Sequence, residues 1–143
     1  MILMSEPLAF PPLIDDCWII TGPTAGGKSA LAIELAETLD GEIVSMDSMA
    51  VYRSMDVGTA KPSRADQQRV PHHAIDIVDP DQPFSVACFL REAHRAVAEI
   101  RQRGRTAILV GGTPMYLKGV LRGFDPGPPA DWEFREQVAA DVV

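Results

Sequence analysis

Eight consecutive residues, Gly22-Pro23-Thr24-Ala25-Gly26-Gly27-Lys28-Ser29, satisfy the pattern of a glycine, four residues and then Gly-Lys-Ser/Thr. This is the pattern of a phosphate cradle. Glycines let successive backbone N–H groups point inward around phosphate oxygens, and Lys28 adds a cation. The Ser29 hydroxyl can hold magnesium at a helix N-terminus whose dipole favours anions. An ordinary glycine-rich turn is the competing reading, but it would need neither a buried strand before it nor an amphipathic helix after it. The second candidate is Asp47. Enzymes with a phosphate loop commonly place an acid at the end of a second strand, beside the phosphates. The run 106–110 ends in Gly111-Gly112 with no acid, whereas Asp47 follows the apolar pair Ile43-Val44. Taken alone, an aspartate there could equally cap a turn.

The surrounding pattern supplies the elements that would position these groups. Residues 17–21 form an apolar run read as a buried strand, and Leu31, Leu35 and Leu39 with Ala32, Ile33 and Ala36 give a helix stopped by Asp40-Gly41. A second strand follows over 42–46, then turns and polar residues to Pro71, and a third strand over 73–78 ended by Asp79-Pro80-Asp81. Ser85 is the expected N-cap of a helix over 85–103, with Phe89, Ala93, Ala96, Val97 and Ile100 as its apolar stripe and Gly104 as terminator. A strand over 106–110 and a helix over 113–121 complete the alternation. The expected class is α/β, a phosphate-loop, NTPase-like parallel sheet with helices on both faces. Three segments are expected: an N-terminal extension over 1–16, the core over 17–123, and over 124–143 a linker with the start of a further helical region. Gly123 to Pro129 holds three prolines and two glycines, and the helical pattern from Trp132 has no visible terminator, so the chain reads as truncated within an element.

Composition narrows the class. With 143 residues, 46% of them hydrophobic, the chain can bury the core of one domain and is too apolar to be disordered. No apolar run approaches the ~20 residues of a membrane span. Met1 to Pro12 lacks a basic start, and Cys17 and Cys88 form no C-x-x-C pair, so reduced thiols and a cytoplasmic address are expected. The net charge of -7 argues against a nucleic-acid surface, yet between Arg91 and Arg122 seven basic residues face only Glu92 and Glu99. That cluster is either a solvated helix face or a polyanion contact.

The residues after Asp47 sharpen the reading. Asp47-Ser48-Met49-Ala50-Val51-Tyr52-Arg53, then Met55-Asp56-Val57-Gly58-Thr59-Ala60-Lys61-Pro62, resembles the signature of the tRNA dimethylallyltransferases, or tRNA isopentenyltransferases. Pro71-His72-His73, Asp76-Ile77-Val78-Asp79-Pro80 and Val110-Gly111-Gly112-Thr113 with Tyr116 keep that family's order and spacing, and the phosphate loop is similar to the family's form. The resemblance implies prenyl transfer without nucleotide hydrolysis. The loop would hold the diphosphate of dimethylallyl diphosphate, bridged by Mg2+, and the acceptor would be the exocyclic amine of the adenosine beside the anticodon. That base would be flipped out of a tRNA anticodon loop.

Residue by residue, the resemblance makes Gly22 to Ser29 the diphosphate site, with Thr24 and Ser29 as side-chain contacts and Ser29 as the metal contact. Asp47 becomes the general base, and Asp47, Ser48, Met49 and Ala50 face the target nucleotide. Thr113 is implied to be catalytic and to touch tRNA, or else to cap its helix; Arg135 is a tRNA contact or a solvated side chain. Lys61 and Arg53 either steady phosphates or are solvated. His72, His73 and His94 lack metal-ligand spacing, and Asp76 and Asp79 read as turn acids. Gly26 stands where the family commonly has Ser, Ser29 where it has Thr, and Ala50 where it often has Gln. Family members also continue with a helical tRNA-gripping insertion and an arginine that helps hold the diphosphate. The expectation is therefore the N-terminal portion of such an enzyme, monomeric and dependent on missing parts. The rivals are an adenylate isopentenyltransferase, an ATP-dependent small-molecule kinase and a non-catalytic fragment.

Overall fold

The computed structural model of the chain describes residues 9–23, 27–56, 61–127 and 132–141. In order it runs β1 (Trp18–Ile20), α1 (Lys28–Leu39), β2 (Gly41–Ser45), α2 (Arg64–Arg69), β3 (His72–His73), α3 (Val86–Gln102), β4 (Thr106–Val110), α4 (Pro114–Arg122) and α5 (Trp132–Asp141). The four strands form one parallel sheet in the order β1-β4-β2-β3. Chain order explains the two helical layers. From β1 through α1 to β2 the chain steps one way along the sheet, and from β3 through α3 to β4 it steps back. Right-handed crossovers in opposite directions put their helices on opposite faces. On one face Ala32, Ile33 and Ala36 of α1 meet Ile43 and Ile108; on the other Phe89, Leu90, Ala93 and Val97 of α3 meet Val44, Met46 and Leu109. The expected α/β architecture is the one observed.

Several expectations need correction. The first strand is an edge strand rather than a buried one, with Trp18 57% exposed, because only β4 pairs with it among the described residues. Helix α1 packs through Ala32, Ile33 and Ala36 and turns Leu31 outward at 54% exposure. The third strand is two residues long, not six, since Ala74 and Asp76 take positive φ and break it; Val78 instead bridges Tyr52. Helix α2 was not expected. It has no buried side chain to give a periodic signal, and is started by Ser63, whose hydroxyl accepts the Asp66 N–H. Residues 10–16, expected as part of an extension, are tied to the core at two points: Leu13 is 3% exposed and its N–H donates to the Val120 carbonyl, while Phe10 and Phe124 exchange backbone bonds. The described part of the expected 124–143 linker thus begins with a packed residue. Ser85 caps α3 as expected, its hydroxyl accepting the Cys88 N–H.

A buried carboxylate fastens the amino-terminal edge of the sheet. Glu42, with a side chain 3% exposed, is bonded to Arg103 and His73 at 2.6 Å each and to Arg105 at 3.0 Å. Burial raises its pKa, but Arg103 and His73 outweigh that and hold it below the ordinary carboxylate value. A depressed folded-state pKa means stability that is present above the unfolded value of about 4.3 and lost as pH falls. Glu42→Gln is expected to lower unfolding free energy by about 2 kcal/mol at pH 7, less than a fully enclosed pair because both arginines reach solvent. In urea titrations from pH 7 to pH 3 the gap between wild type and variant should close below about pH 4 to 5. A gap independent of pH would remove the charge from the account.

Candidate active site

Parallel strands deliver their carboxyl ends to one edge of the sheet, and three loops leaving that edge enclose a cleft of about 990 Å³. The first follows β1. Gly22, Pro23, Gly27, Lys28 and Ser29 line the cleft; Thr24, Ala25 and Gly26 lie outside the described residues. Gly27 takes φ 78 and precedes α1 without any side-chain cap, and the first turn of α1 carries no acid. The N–H groups of that turn are therefore neither satisfied by a capping side chain nor offset by a carboxylate, which is the electrostatic setting an anion requires. The Lys28 ammonium donates to the carbonyls of Gly22 at 3.0 Å and Pro23 at 2.7 Å. It lies folded over the loop.

The second wall follows β2. Ser45, Asp47 and Ser48 line the cleft. Asp47 Oδ1 accepts the Met49 N–H at 2.8 Å, so the carboxylate does cap a turn; among the described residues Oδ2 has no partner of that kind. Capping orients the group without consuming it. Ser45 was not singled out in the sequence, although alternation along an extended segment puts it on the face that Asp47 uses. Met49 is 42% exposed, whereas Ala50 is 1% exposed and its carbonyl takes the Asp76 N–H; neither residue is in the cleft lining.

The third wall, after β4, is Gly111, Gly112 and Thr113. Thr113 precedes α4, yet its hydroxyl makes no capping bond. Pro114 at the first helical position has no N–H to satisfy, which lowers the demand for a cap. The Thr113 Oγ1 instead accepts the Ser48 N–H at 3.2 Å, tying the second wall to the third. Tyr116, one turn along, is a packing residue: it stacks on Phe89 with ring centroids 4.0 Å apart, and burial pushes its phenol up to about 12.

Other candidates separate by position. His72 borders the cleft, with Nδ1 2.7 Å from the Val70 carbonyl, and burial lowers its pKa. His73 belongs to the Glu42 network at the far end of the sheet. Arg53 pairs with Asp79, and Lys61 is almost enclosed between Asp56 and Asp76; neither is merely solvated. Arg135 lies on α5, outside the cleft lining. The basic run 91–122 does not form one patch, since Arg95 is held by Glu92 and Glu99, Arg101 by Asp16, and Arg103 and Arg105 by Glu42. Cys17 and Cys88 are both unbridged, as expected. Among the described residues no group of three or more His, Cys, Asp or Glu is arranged to hold a metal, and no helix is long and apolar enough to cross a membrane.

Comparison with known proteins gives concordant findings. Residues 50–142 match the family model described as IPP transferase, and residues 15–76 match that of isopentenyl transferase. A tRNA dimethylallyltransferase of Rhodopirellula baltica is 54% identical over 96% of this chain and 43% of its own length. The tRNA dimethylallyltransferase 1 of Citrifermentans bemidjiense is 54% identical over 83% of this chain and 39% of its own. Among solved structures, the full-length tRNA isopentenylpyrophosphate transferase of Bacillus halodurans superposes with a TM-score of 0.75 at 46% identity, covering 88% of this chain and 42% of that one. A eukaryotic dimethylallyltransferase caught acting on tRNA gives 0.69 at 36% identity, over 71% and 25%. The chain thus spans about two fifths of the length of the curated relatives.

Proposed function

Since the chain belongs to the IPP transferase family, we propose that it carries the donor site and the base of a tRNA dimethylallyltransferase. The reaction moves the dimethylallyl group of dimethylallyl diphosphate to the exocyclic amine of the adenosine beside a tRNA anticodon. The observation that carries this reading is the meeting of an uncapped, acid-free helix N-terminus with a turn-held aspartate across one cleft. The loop from Gly22 to Ser29 holds the diphosphate. Lys28 swings from the carbonyls of Gly22 and Pro23 onto its oxygens, and α1 contributes N–H donors. The Ser29 hydroxyl, with oxygens of the diphosphate itself, suits magnesium, which keeps few protein ligands beside substrate phosphates. Magnesium there would supply charge neutralisation to the leaving group.

An adenine amine is a poor nucleophile because its lone pair is delocalised into the ring. The Asp47 carboxylate, through Oδ2, orients the amine and accepts its proton as the nitrogen–carbon bond forms and the carbon–oxygen bond to diphosphate breaks. Thr113 sets the distance between that base and the third wall through Ser48, and its own hydroxyl proton remains to donate toward the substrate. The proposed setting is the cytoplasm, where tRNA is matured.

The test is incorporation of labelled dimethylallyl diphosphate into tRNA and, separately, into AMP by the full-length gene product with magnesium present. The expected result is label in tRNA. Label in AMP alone would make it an adenylate isopentenyltransferase, a reading that the isopentenyl transferase match over residues 15–76 keeps in play. Magnesium-dependent ATP turnover without prenyl transfer would make it a kinase. In the same assay Lys28→Ala is expected to weaken diphosphate binding by about 10- to 100-fold, the loss of one charge-assisted contact.

A further inference from the structure

The Lys61 side chain borders the cleft but is only 5% exposed. Its ammonium has three N–H bonds and all three are engaged: with the Tyr52 carbonyl at 2.8 Å, Asp56 at 2.7 Å and Asp76 at 2.5 Å. Burial works against the charge, but the two carboxylates prevail and hold its pKa above the usual lysine value. No donor is left for a phosphate. A charged group beside a phosphate site that is saturated by the protein acts on the protein.

Its three acceptors belong to the loops that follow β2 and β3. The first of these begins at Asp47. Backbone bonds lace the two together, from Asp76 N–H to the Ala50 carbonyl at 3.1 Å, Ile77 N–H to Val51 at 2.9 Å and Arg53 N–H to Val78 at 2.8 Å. Within the first loop the Tyr52 N–H returns to the Met49 carbonyl at 3.3 Å, and the Met49 N–H sits on Asp47 Oδ1. A short run of bonds therefore leads from the ammonium through Tyr52 and Met49 to the carboxylate.

We infer that Lys61 is a positioning residue for the transfer reaction, holding the 49–52 turn in the conformation that aims Asp47 at the acceptor amine. The inference rests on the function proposed above for Asp47. It separates two properties of the cleft: donor binding depends on the phosphate loop, whereas the rate of transfer depends on the turn to which the Lys61 ammonium is bonded through Tyr52. A displacement of about 1 Å in a reacting group can cost about 100-fold in rate.

Lys61→Met keeps the apolar stem and removes the three donors. In the full-length gene product it is expected to lower kcat for tRNA by about 100-fold. KM for dimethylallyl diphosphate should stay within about threefold, as for a group acting only at the transition state. Amide hydrogen exchange should accelerate across 48–53 and stay unchanged in α3 and β4. Asp76→Asn, which weakens one arm without stranding a buried cation, should show the same split at smaller amplitude. Wild-type kcat in both variants would overturn the inference. So would exchange accelerated equally in α3 and β4, because Lys61 would then support the whole fold rather than the turn. If the wild-type protein transferred no prenyl group, the functional reading would fall. The exchange pattern would still decide whether Lys61 holds the turn.

Discussion

Asp47→Asn is expected to lower kcat by about 10²- to 10⁴-fold, the usual range for losing a positioned general base, with donor binding and thermal stability near those of wild type. The choice of asparagine matters. Asp47 Oδ1 accepts the Met49 N–H at 2.8 Å, and an amide oxygen can keep that bond and the turn it closes. What asparagine cannot do is take a proton from an amine. Asp47→Ala loses both functions, so its additional defect, read as faster amide exchange at Met49 and a lower unfolding midpoint, measures the turn alone. The two variants together separate the chemical from the architectural role of one carboxylate. An asparagine variant turning over at the wild-type rate would refute the base assignment while leaving the phosphate loop as the donor site.

The parts of this site that were legible in the sequence are those whose chemistry demands a contiguous pattern. A phosphate cradle needs glycines, a lysine and a hydroxyl at fixed spacing, and an acid at a strand end can be read from an apolar run followed by a polar one. Which neighbours of that acid are exposed was not legible. Met49 and Ala50 are adjacent, yet one is 42% exposed and the other 1%, because the Asp76 N–H reaches across to Ala50 and fixes the turn. The same is true of Lys61. Its type allowed either phosphate binding or solvation, and the actual outcome, saturation by Asp56, Asp76 and a carbonyl, depends on where the loop after β3 runs. Thr113 shows a local rule overridden: a threonine before a helix is a natural cap, but Pro114 removes one donor and the Ser48 N–H captures the hydroxyl.

At the level of the fold, strands and helices with strong periodicity were readable and their layering followed from alternation. Helix α3 shows this, its apolar stripe matching its buried face. Strand β3 and helix α2 escaped because neither owes its form to a buried stripe. One is cut off by positive φ at Ala74 and Asp76, and the other is capped by a serine with every side chain at least partly in water. The basic run 91–122 shows the hazard of counting charge along a chain. Arg103 and Arg105 neutralise a buried glutamate at the end of the sheet opposite the cleft, so charge density in sequence did not become a surface patch in space.

Gly111→Ala is expected to cost about 3 kcal/mol of stability, from strain in a backbone region that is almost exclusively glycine's and from overpacking. Gly111 takes φ 153, and a Cβ there would fall 2.7 Å from both the carbonyl carbon and the oxygen of Met46. Neither neighbour can yield cheaply. Met46 is fully buried, and its N–H is bonded to the Val110 carbonyl at 2.7 Å, while the Gly111 N–H is bonded to Ile20 at 3.1 Å. These bonds close the carboxyl ends of β1, β4 and β2 around one point, from which all three cleft loops depart. Relief of the clash must push β4 from β2, and with it Thr113 from Ser48 and Asp47. Loss of transfer should therefore accompany loss of stability even in molecules that remain folded at low temperature. Gly112→Ala is the control. Among the described residues its Cβ would meet only the Gly22 carbonyl at 3.2 Å, a contact that a small shift of the loop relieves, so about 1 kcal/mol or less is expected. Equal losses of stability for the two alanines, read from urea denaturation, would show that the close approach of β4 to Met46 is not what holds the cleft together.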